Sequence, residues 1–430
     1  MNPEFRRQLW LHFPPIRLAV LPLLQLVTFA AIFFSVSNRT AQAIAATGVA
    51  MFVLLVLLGG TFAAGASVMD EITERTWDQQ RMSAMQPWGM TWGKLAGATL
   101  YGWYGGAVCL LVAVPAALLF ASPNVVLRWV LGGVVGGVFL QALLLAVNLQ
   151  LVRASSAVVR RGGVWTFVLV LLWGIPPLTG LGRGVGVEWW GHLFDGVDFV
   201  LGTLLLLAGC ALFGAWRSMA EVLAVRQLPW GWPAFALIAT VYLGGFSSQE
   251  VDYVFWSVGL FTCMGGTYLA LLAEPQPRPL WQRVVHRVQN SQWRAAVLQL
   301  PRWPGALVLA LLFAVLATLT VGPNDVLPWA RNTTLLPLTL VLLAARDCAA
   351  ALFFTFSPRT RQPMFAFGVL MLVLYALLPW LLTSAGMHPL VMGLVLPLLA
   401  PTASVSVLLT LVHLALALGL LRWRWKATAP

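Results

Sequence analysis

The chain has 430 residues, of which 60% are hydrophobic and only 9% are charged. A soluble domain of this length normally carries about a quarter charged residues, so this chain could not cover its own surface in water. The composition excludes a cytosolic enzyme, a disordered regulator and a secreted disulfide scaffold. It predicts an all-α polytopic integral membrane protein.

The basic residues indicate a membrane and not a nucleic-acid partner. The formal net charge is +12, but the arginines and lysines lie in short clusters between apolar runs and form no single basic face. No nucleic-acid partner is therefore expected. The four cysteines and five histidines are isolated from one another, so no metal-ligand spacing is present and no metal site is predicted.

The apolar runs predict about twelve transmembrane helices, because about 20 apolar residues are needed to cross the hydrocarbon core. The run 233–246 is short for a span. The run 389–421 is too long for one, and its Pro397 and Pro401 predict a broken entry followed by a full span. The complete set of runs is 15–36, 43–68, 97–121, 126–152, 164–179, 197–216, 233–246, 253–273, 304–321, 334–354, 364–382 and 389–421.

The distribution of positive charge predicts the orientation. With the N-terminus in the cytoplasm and the spans alternating, the basic residues outside the cytoplasm are only Arg39, Arg128, Arg183 and Arg331. Cytoplasmic loops of membrane proteins carry an excess of Lys and Arg. Both termini are therefore expected in the cytoplasm, with the membrane lipids as surrounding partners.

Two amphipathic segments are predicted to lie in the headgroup region. Near the N-terminus, the apolar Phe5 and Trp10 accompany Arg6 and Arg7 at helical spacing. The segment 279–300 shows the same combination of apolar and basic residues. Helices with this pattern lie on the membrane surface.

The recurrence of this arrangement predicts two transmembrane halves, 1–225 and 226–430. Each half has an amphipathic entry, two spans, a charged cytoplasmic segment and then further spans. The parallel is architectural and weak at the level of residues, so the second half is at most a degenerate repeat. Whether it is a true repeat stays open from the sequence.

The most charged stretch of the chain is 69–95, which we call the charged segment. It lies after the second predicted span, on the predicted cytoplasmic side. Its acidic and basic side chains can pair at i, i+3 and i, i+4 on one short helix, which Pro87 ends. The residues concerned are Asp70, Glu71, Glu74, Arg75, Asp78 and Arg81.

Two motifs in this segment carry a resemblance to a known family. Glu74-Arg75-Thr76-Trp77-Asp78, followed by Pro87 and by Gly93-Lys94-Leu95, resembles the first cytoplasmic loop of type 2 ABC exporter permeases. That loop typically reads Glu-Arg-x-x-Gly-Thr-Leu-Glu, then a turn with proline, then Gly-Lys-Leu. This chain departs from it: no glycine precedes Thr76, Trp77 replaces the usual leucine, and Pro87 lies closer to Gly93. The resemblance covers roughly 1–225, including the N-terminal amphipathic helix as the family's elbow helix.

The resemblance implies that the charged segment is a coupling helix, which docks on a separate ATP-binding subunit. The chain has no GxxxxGK[ST] phosphate loop, so it is expected to be no enzyme, with ATP and Mg²⁺ on the partner. A homodimer or a second permease, and a location in the inner (plasma) membrane of a bacterial cell, are also expected. The implied contact residues are Asp70, Glu71, Glu74, Arg75, Thr76, Trp77, Asp78 and Arg81.

A second cytoplasmic contact is predicted at Arg346, Asp347, Arg359 and Arg361. A charged residue at the bilayer centre costs about 2.5–3.5 kcal/mol. We therefore favour a position of Arg346 and Asp347 at the cytoplasmic end of a span, with 349–356 along the membrane surface. The alternative is a buried ion pair inside the membrane.

The expected function is the transmembrane permease subunit of an ATP-driven exporter, and the substrate is not indicated. One alternative is an ion-driven secondary transporter, although the spans offer few ionisable groups beyond His413. Another is a membrane-embedded lipid or glycan transferase, whose candidate residues would be Glu188, Asp195 and Asp198. A solvated loop that only orients the protein is the alternative interpretation of the charged segment.

Overall fold

The computed structural model describes residues 2–12, 15–36, 39–83, 85–154, 186–225, 230–246, 251–274, 276–320, 334–357 and 362–427. Within these ranges the chain is helical apart from one pair of short strands. Ten of the described helices are long and apolar enough to cross a membrane. The protein is thus a helical, multi-pass integral membrane protein, as its composition predicts.

The chain divides into two compact units. Unit 1 comprises Met1–Val187 and Leu193–Gln227, and unit 2 comprises Glu188–His192 and Leu228–Pro430.

Unit 1 contains seven described helices. They are α1 (Pro3–His12), α2 (Pro15–Ser35), α3 (Thr40–Thr73), α4 (Trp77–Arg81), α5 (Pro87–Leu118), α6 (Pro123–Ala154) and α7 (Gly196–Val222). The middle of α3 is π-helical over Val53–Gly59. Its core is formed where α3, α5, α6 and α7 meet, through small and aliphatic residues that include Ala64, Val68, Leu145 and Ala215.

Two short strands, β1 (Val187–Trp189) and β2 (His192–Phe194), precede α7 in the chain, and Glu188–His192 of this strand pair is counted with unit 2. The helices of unit 2 are α8 (Gly231–Gly244), α9 (Val251–Ala273), α10 (Arg278–Gln289), α11 (Trp293–Val297), α12 (Arg302–Thr320), α13 (Leu336–Thr355), α14 (Pro363–Ser384), α15 (Pro389–Val395) and α16 (Ala403–Ala427). A π-helical turn, Val373–Leu377, lies within α14, and a 3₁₀ turn, Pro397–Leu399, separates α15 from α16. One core cluster joins α9, α12 and α13.

The apolar runs 389–421 and 233–246 differ from simple spans, as the sequence predicts. The run 389–421 is broken as expected: α15 ends where Leu396 adopts an extended conformation (φ −124°, ψ 99°), and α16 then forms a full span. The run 233–246 forms α8, whose 14 residues are shorter than the spanning helices. The predicted span 164–179 lies outside the described residues.

The amphipathic segment at the N-terminus forms a helix, but its buried face is polar. Glu4 and Gln8 of α1 are buried, whereas Trp10 is exposed. Two glycines of α5 allow this close approach: a Cβ at Gly93 would lie 2.7 Å from the Glu4 Cβ, and one at Gly97 would lie 2.6 Å from the Gln8 Cβ. Helix α1 is therefore docked on α5 through polar side chains.

The second amphipathic segment also forms helices. Helix α10 and the short α11 cover most of 279–300. Val284 is buried, and the ring of Trp281 lies 5.7 Å from that of Trp303 at the start of α12. Trp281 therefore contacts the start of α12, whereas Val285, Trp293 and Val297 of the same segment are exposed.

We expect Gly97→Ala to destabilise unit 1. The new methyl group would lie against the Gln8 Cβ, which belongs to the base of its side chain and cannot swing away, so α1 must shift. Overpacking of this kind costs about 1–3 kcal/mol. Gly136→Ala in α6 is the matched control, because a Cβ at Gly136 would meet nothing within 4 Å. Thermal unfolding in detergent measures the difference, and equal melting temperatures for the two variants would contradict the close approach.

Candidate functional site: a charged segment above a buried ionic cluster

The charged segment begins on the last turn of α3, and the chain leaves this helix at Arg75. The Arg75 amide donates to the Ile72 carbonyl (3.2 Å), and the Thr76 amide donates to the Glu71 carbonyl (2.9 Å). This is the Schellman arrangement that ends many helices. Arg75 occupies its left-handed position with φ 59°, where glycine is usually preferred. Helix α4 starts directly after this turn.

The charged segment is exposed in part. The exposed residues of the predicted contact set are Asp70, Glu74, Arg75 and Asp78. Thr76 is half-buried, and Arg81 is the last residue of α4. The turn after α3 and the short helix α4 therefore expose both acidic and basic side chains.

Two residues of the predicted contact set lie elsewhere. Glu71 is 4% exposed and Trp77 is 6% exposed, so their side chains cannot form part of an exposed docking surface. The reason is helical geometry: Glu71 is rotated by about 100° from Asp70 around α3, which directs it toward the neighbouring helices. The prediction that these two side chains contact a soluble subunit needs this correction.

Glu71 belongs to an ionic cluster formed by Glu4, Arg7, Glu71 and Lys94, which we call the Lys94 cluster. Glu4, Glu71 and Lys94 are buried, and the Arg7 side chain is 39% exposed. The Lys94 side chain has no solvent exposure, and its Nζ donates to Glu71 and lies 3.4 Å from the Glu4 Oε1. The guanidinium of Arg7 donates to Glu4 (2.9 and 3.1 Å) and to Glu71. Helices α1, α3 and α5 are therefore joined by charged side chains.

The balance of charge explains why this cluster can be buried. An isolated buried ion costs several kcal/mol, and only good geometry with further hydrogen bonds offsets that cost. Here two carboxylates face two cations, and Gln8 adds a hydrogen bond to the Glu4 Oε1 (3.0 Å). The formal charges cancel within the group.

Trp77 connects the exposed helix α4 to the Lys94 cluster. The Lys94 Nζ lies 5.4 Å from the centre of the Trp77 ring, within the range of a cation–π interaction. The same ring belongs to the core cluster of unit 1. The first residue of α4, Trp77, therefore packs into the core of unit 1, while the next residue, Asp78, is exposed.

Sequence reasoning did not assign Glu4, Arg7 or Lys94 to a site. A signal was present: Glu4, Arg7 and Gln8 share one helical face, and Gly93 and Gly97 are spaced to admit a neighbouring helix. Only the apolar and basic residues of this helix entered the sequence-based interpretation. The actual partner of the polar face is a lysine in a span 90 positions further along the chain.

Charge pairing shifts the pKa values of the two α1 residues. Burial alone would raise the pKa of Glu4, but the hydrogen bond from Arg7 and the charge of Lys94 bring it below its ordinary value of 4.5. Burial alone would lower the pKa of Arg7, but its contacts with Glu4 and Glu71 raise it. Both groups are therefore held in their charged forms.

We expect Lys94→Met to destabilise the chain by about 3–5 kcal/mol, because Glu4 and Glu71 then share only Arg7. Thermal unfolding of the purified chain measures the loss. The double variant Lys94→Met, Glu71→Gln restores the balance of charge and should recover much of the stability. A single variant as stable as the native chain would show that Lys94 does not compensate the carboxylates.

We expect the docking of α1 to weaken in acid. Because the folded-state pKa of Glu4 lies below its ordinary value, its stabilising contribution is complete above about pH 4.5 and is lost as the pH falls through the lower folded-state value. Glu4→Gln cannot titrate at this position. Melting temperatures measured from about pH 6 to about pH 3 should therefore fall more steeply for the native chain than for this variant. Parallel profiles would contradict the assignment.

The favoured position of the second predicted contact is wrong. Arg346 and Asp347 lie in the middle of α13, with exposures of 6% and 0%, and do not lie at an exposed end. The segment 349–356 continues α13 and is not a separate surface element. The alternative of a buried ion pair describes the structure. Arg359 and Arg361 lie outside the described residues.

Three further helices complete this pair, and we call Tyr268, Arg346, Asp347, Tyr375 and His413 the Arg346 network. The Asp347 Oδ1 accepts from the Arg346 Nε (2.8 Å) and Nη2 (2.7 Å). Its Oδ2 accepts from the hydroxyl groups of Tyr268 and Tyr375, each at 2.7 Å. Asp347 is therefore fully satisfied by donors.

His413 connects the Arg346 network to the end of α15. The last carbonyl groups of a helix have no partner within it, and His413 Nε2 lies 2.9 Å from one of them, the Leu394 oxygen of α15. A donor at Nε2 leaves Nδ1 as the acceptor in a neutral imidazole. That atom lies 3.4 Å from the Arg346 Nη1.

A cavity of about 460 Å³ opens beside the Arg346 network. It is lined by residues of α13, α14, α15 and α16, all in unit 2. Arg346 and His413 contribute its polar lining, and aliphatic and aromatic side chains contribute the rest. An apolar pocket with a few convergent polar groups is typical of a ligand site.

Two of the carboxylates that were candidates for transferase chemistry, Asp195 and Asp198, form ion pairs with Arg128. Arg128 Nη2 lies 2.6 Å from the Asp198 Oδ2, and its Nη1 lies 3.5 Å from the Asp195 Oδ2. Asp195 also caps α7 by accepting from the Val197 amide (2.8 Å). Both residues therefore have structural roles at the start of α7.

Comparison of the chain with protein-family models, curated proteins and solved structures finds no match. In the part of the chain that the structure describes, no three His, Cys, Asp or Glu side chains are grouped so as to hold a metal ion.

Proposed function

We propose that the chain is the transmembrane permease subunit of an ATP-driven exporter of the type 2 ABC class. The observation that carries this proposal is the charged segment, which exposes Asp70, Glu74, Arg75 and Asp78 and is attached to the buried Lys94 through Trp77. A subunit that takes energy from a separate ATPase needs such an element. The sequence motifs of this segment resemble those of the family's coupling loop.

The anchoring of α4 supports a mechanical role. Force applied to the exposed face of α4 reaches α3 through the Schellman turn and reaches Lys94 through Trp77. Because Lys94 is paired with Glu4 and Glu71, displacing it alone would leave charges unpaired in the interior. Helices α1, α3 and α5 would therefore move together when α4 is displaced.

The partner in this proposal is a soluble ATP-binding subunit on the cytoplasmic side, which carries the ATP and Mg²⁺. The chain would lie in a bacterial inner membrane with both termini in the cytoplasm. A second copy or a second permease would complete the pore.

The docking surface can be tested by reversing charge on the exposed face. Glu74→Lys with Asp78→Lys should lower the amount of ATPase that co-purifies from native membranes by tenfold or more, because the new lysines would face the cations of the partner that the two carboxylates are expected to pair with, and each loss of about 1.4 kcal/mol is a tenfold loss of affinity. Glu188→Lys is the matched control, since Glu188 is also an exposed carboxylate but lies on β1. The amount of the chain itself in the membrane should not change.

Mass spectrometry identifies the partner in the same preparations by its phosphate-loop sequence. Native chain that yields no ATPase after mild cross-linking would refute the proposal. Equal recovery of the ATPase with the double variant and with Glu188→Lys would show that α4 is not the docking element.

The Arg346 network supports a second candidate, an ion-driven secondary transporter. Ionisable residues in the interior of a bundle commonly mark transport pathways, and broken helices often flank the binding site. Transport that persists after ATP depletion with the ion gradient retained, and that stops in Asp347→Asn, would favour this candidate over an ABC permease.

A further inference from the structure

We infer that the cavity of unit 2 binds a single-chain amphiphile with an anionic head group, which Arg346 holds. This goes beyond the proposed permease function and does not depend on it, because the site lies wholly within unit 2 and its ligand can be measured without an ATPase. Four observations carry the inference: the hydrogen-bond inventory of Arg346, the charge of the lining, its apolar walls and the volume.

The guanidinium of Arg346 has a donor to spare. It carries five N–H groups. The Nε donates to the Asp347 Oδ1, Nη2 donates to Asp347 and to the Tyr375 hydroxyl (2.9 Å), and Nη1 faces His413 at a long 3.4 Å. One N–H of Nη1 has no acceptor among the described residues, and Arg346 lines the cavity.

The lining carries positive charge only. Arg346 contributes to the wall, whereas Asp347 does not line the cavity and has no solvent exposure. Both carboxylate oxygens of Asp347 are occupied, one by Arg346 and the other by two tyrosine hydroxyls. A head group entering the cavity therefore meets the guanidinium before the carboxylate, and an anion is the complementary charge.

The remaining walls are apolar and suit a hydrocarbon chain. They include Phe353, Leu374, Leu416 and Leu420. The volume of about 460 Å³ lies in the range of pockets that hold one small ligand, which favours an amphiphile with one chain. The end of α15 forms one wall, and His413 lies within hydrogen-bond distance of its Leu394 carbonyl.

The test uses the full chain in nanodiscs of zwitterionic lipid at mildly alkaline pH, titrated with radiolabelled hexadecanoate and with hexadecan-1-ol. The two probes have the same chain and differ in the charge of the head. We expect hexadecanoate to bind about tenfold more tightly or better, because hydrogen bonds to charged groups are the stronger ones.

Two variants locate the site. Arg346→Met with Asp347→Asn removes both charges of the pair together and should reduce the affinity for hexadecanoate to that for the alcohol. Ala417→Phe fills the cavity, whose lining includes Ala417, and should abolish binding of both probes. Ala415→Phe, on the same helix at an exposed position outside the lining, is the matched control and should bind like the native chain.

Equal affinity of the native chain for the acid and the alcohol would overturn the inference and would indicate a groove for lipid tails. Binding that is unchanged in Ala417→Phe would also overturn it, because the ligand would then lie elsewhere. If the charge-neutral double variant does not fold, the inference is still tested by the ratio of the native chain's affinities for hexadecanoate and hexadecan-1-ol and by the effect of Ala417→Phe. Since no ATPase is present in this assay, its outcome is separate from that of the docking experiment.

Discussion

The burial of Lys94 is the constraint on which unit 1 depends. A lysine side chain without solvent exposure must keep its partners, because the cost of an unpaired buried charge exceeds what most single contacts contribute. Its partners Glu4 and Glu71 come from two other helices. The N-terminal helix, the end of α3 and the start of α5 are therefore held in one arrangement, and α4 is attached to that arrangement through Trp77.

The sequence predicted the class of the fold better than the placement of its charges. Composition alone indicates a helical membrane protein, and two prolines, Pro397 and Pro401, predicted the break before the last span. Local patterns suffice for such features because the cause and the effect lie in the same segment. Glu71 shows where this fails: its charge pattern indicates an exposed helix, but its partners Lys94 and Arg7 lie 23 and 64 positions away.

Arg346 and Asp347 show a second limit of sequence reasoning. Their favoured surface position followed from the cost of placing each charge in the bilayer centre, calculated as if each were alone. In the structure each neutralises the other, and the two tyrosines that complete Asp347 come from α9 and α14. The side chains that lower the cost lie 79 and 28 positions from Asp347, so nothing near it in the sequence indicates them.

The two units bury charge in different ways, and the difference bears on what each can do. In unit 1, the Lys94 cluster draws its charges from α1, α3 and α5, so Lys94 loses both carboxylate partners when α5 separates from α1 and α3. In unit 2, Arg346 and Asp347 are neighbours on α13 and remain paired however the other helices move. Helices α9 and α14 contribute neutral hydroxyl groups, and the loss of a neutral hydrogen bond costs less than the loss of a charged partner. The hydrogen bonds from α9 and α14 can therefore be broken at less cost than the ion pairs that join α1, α3 and α5 in the Lys94 cluster.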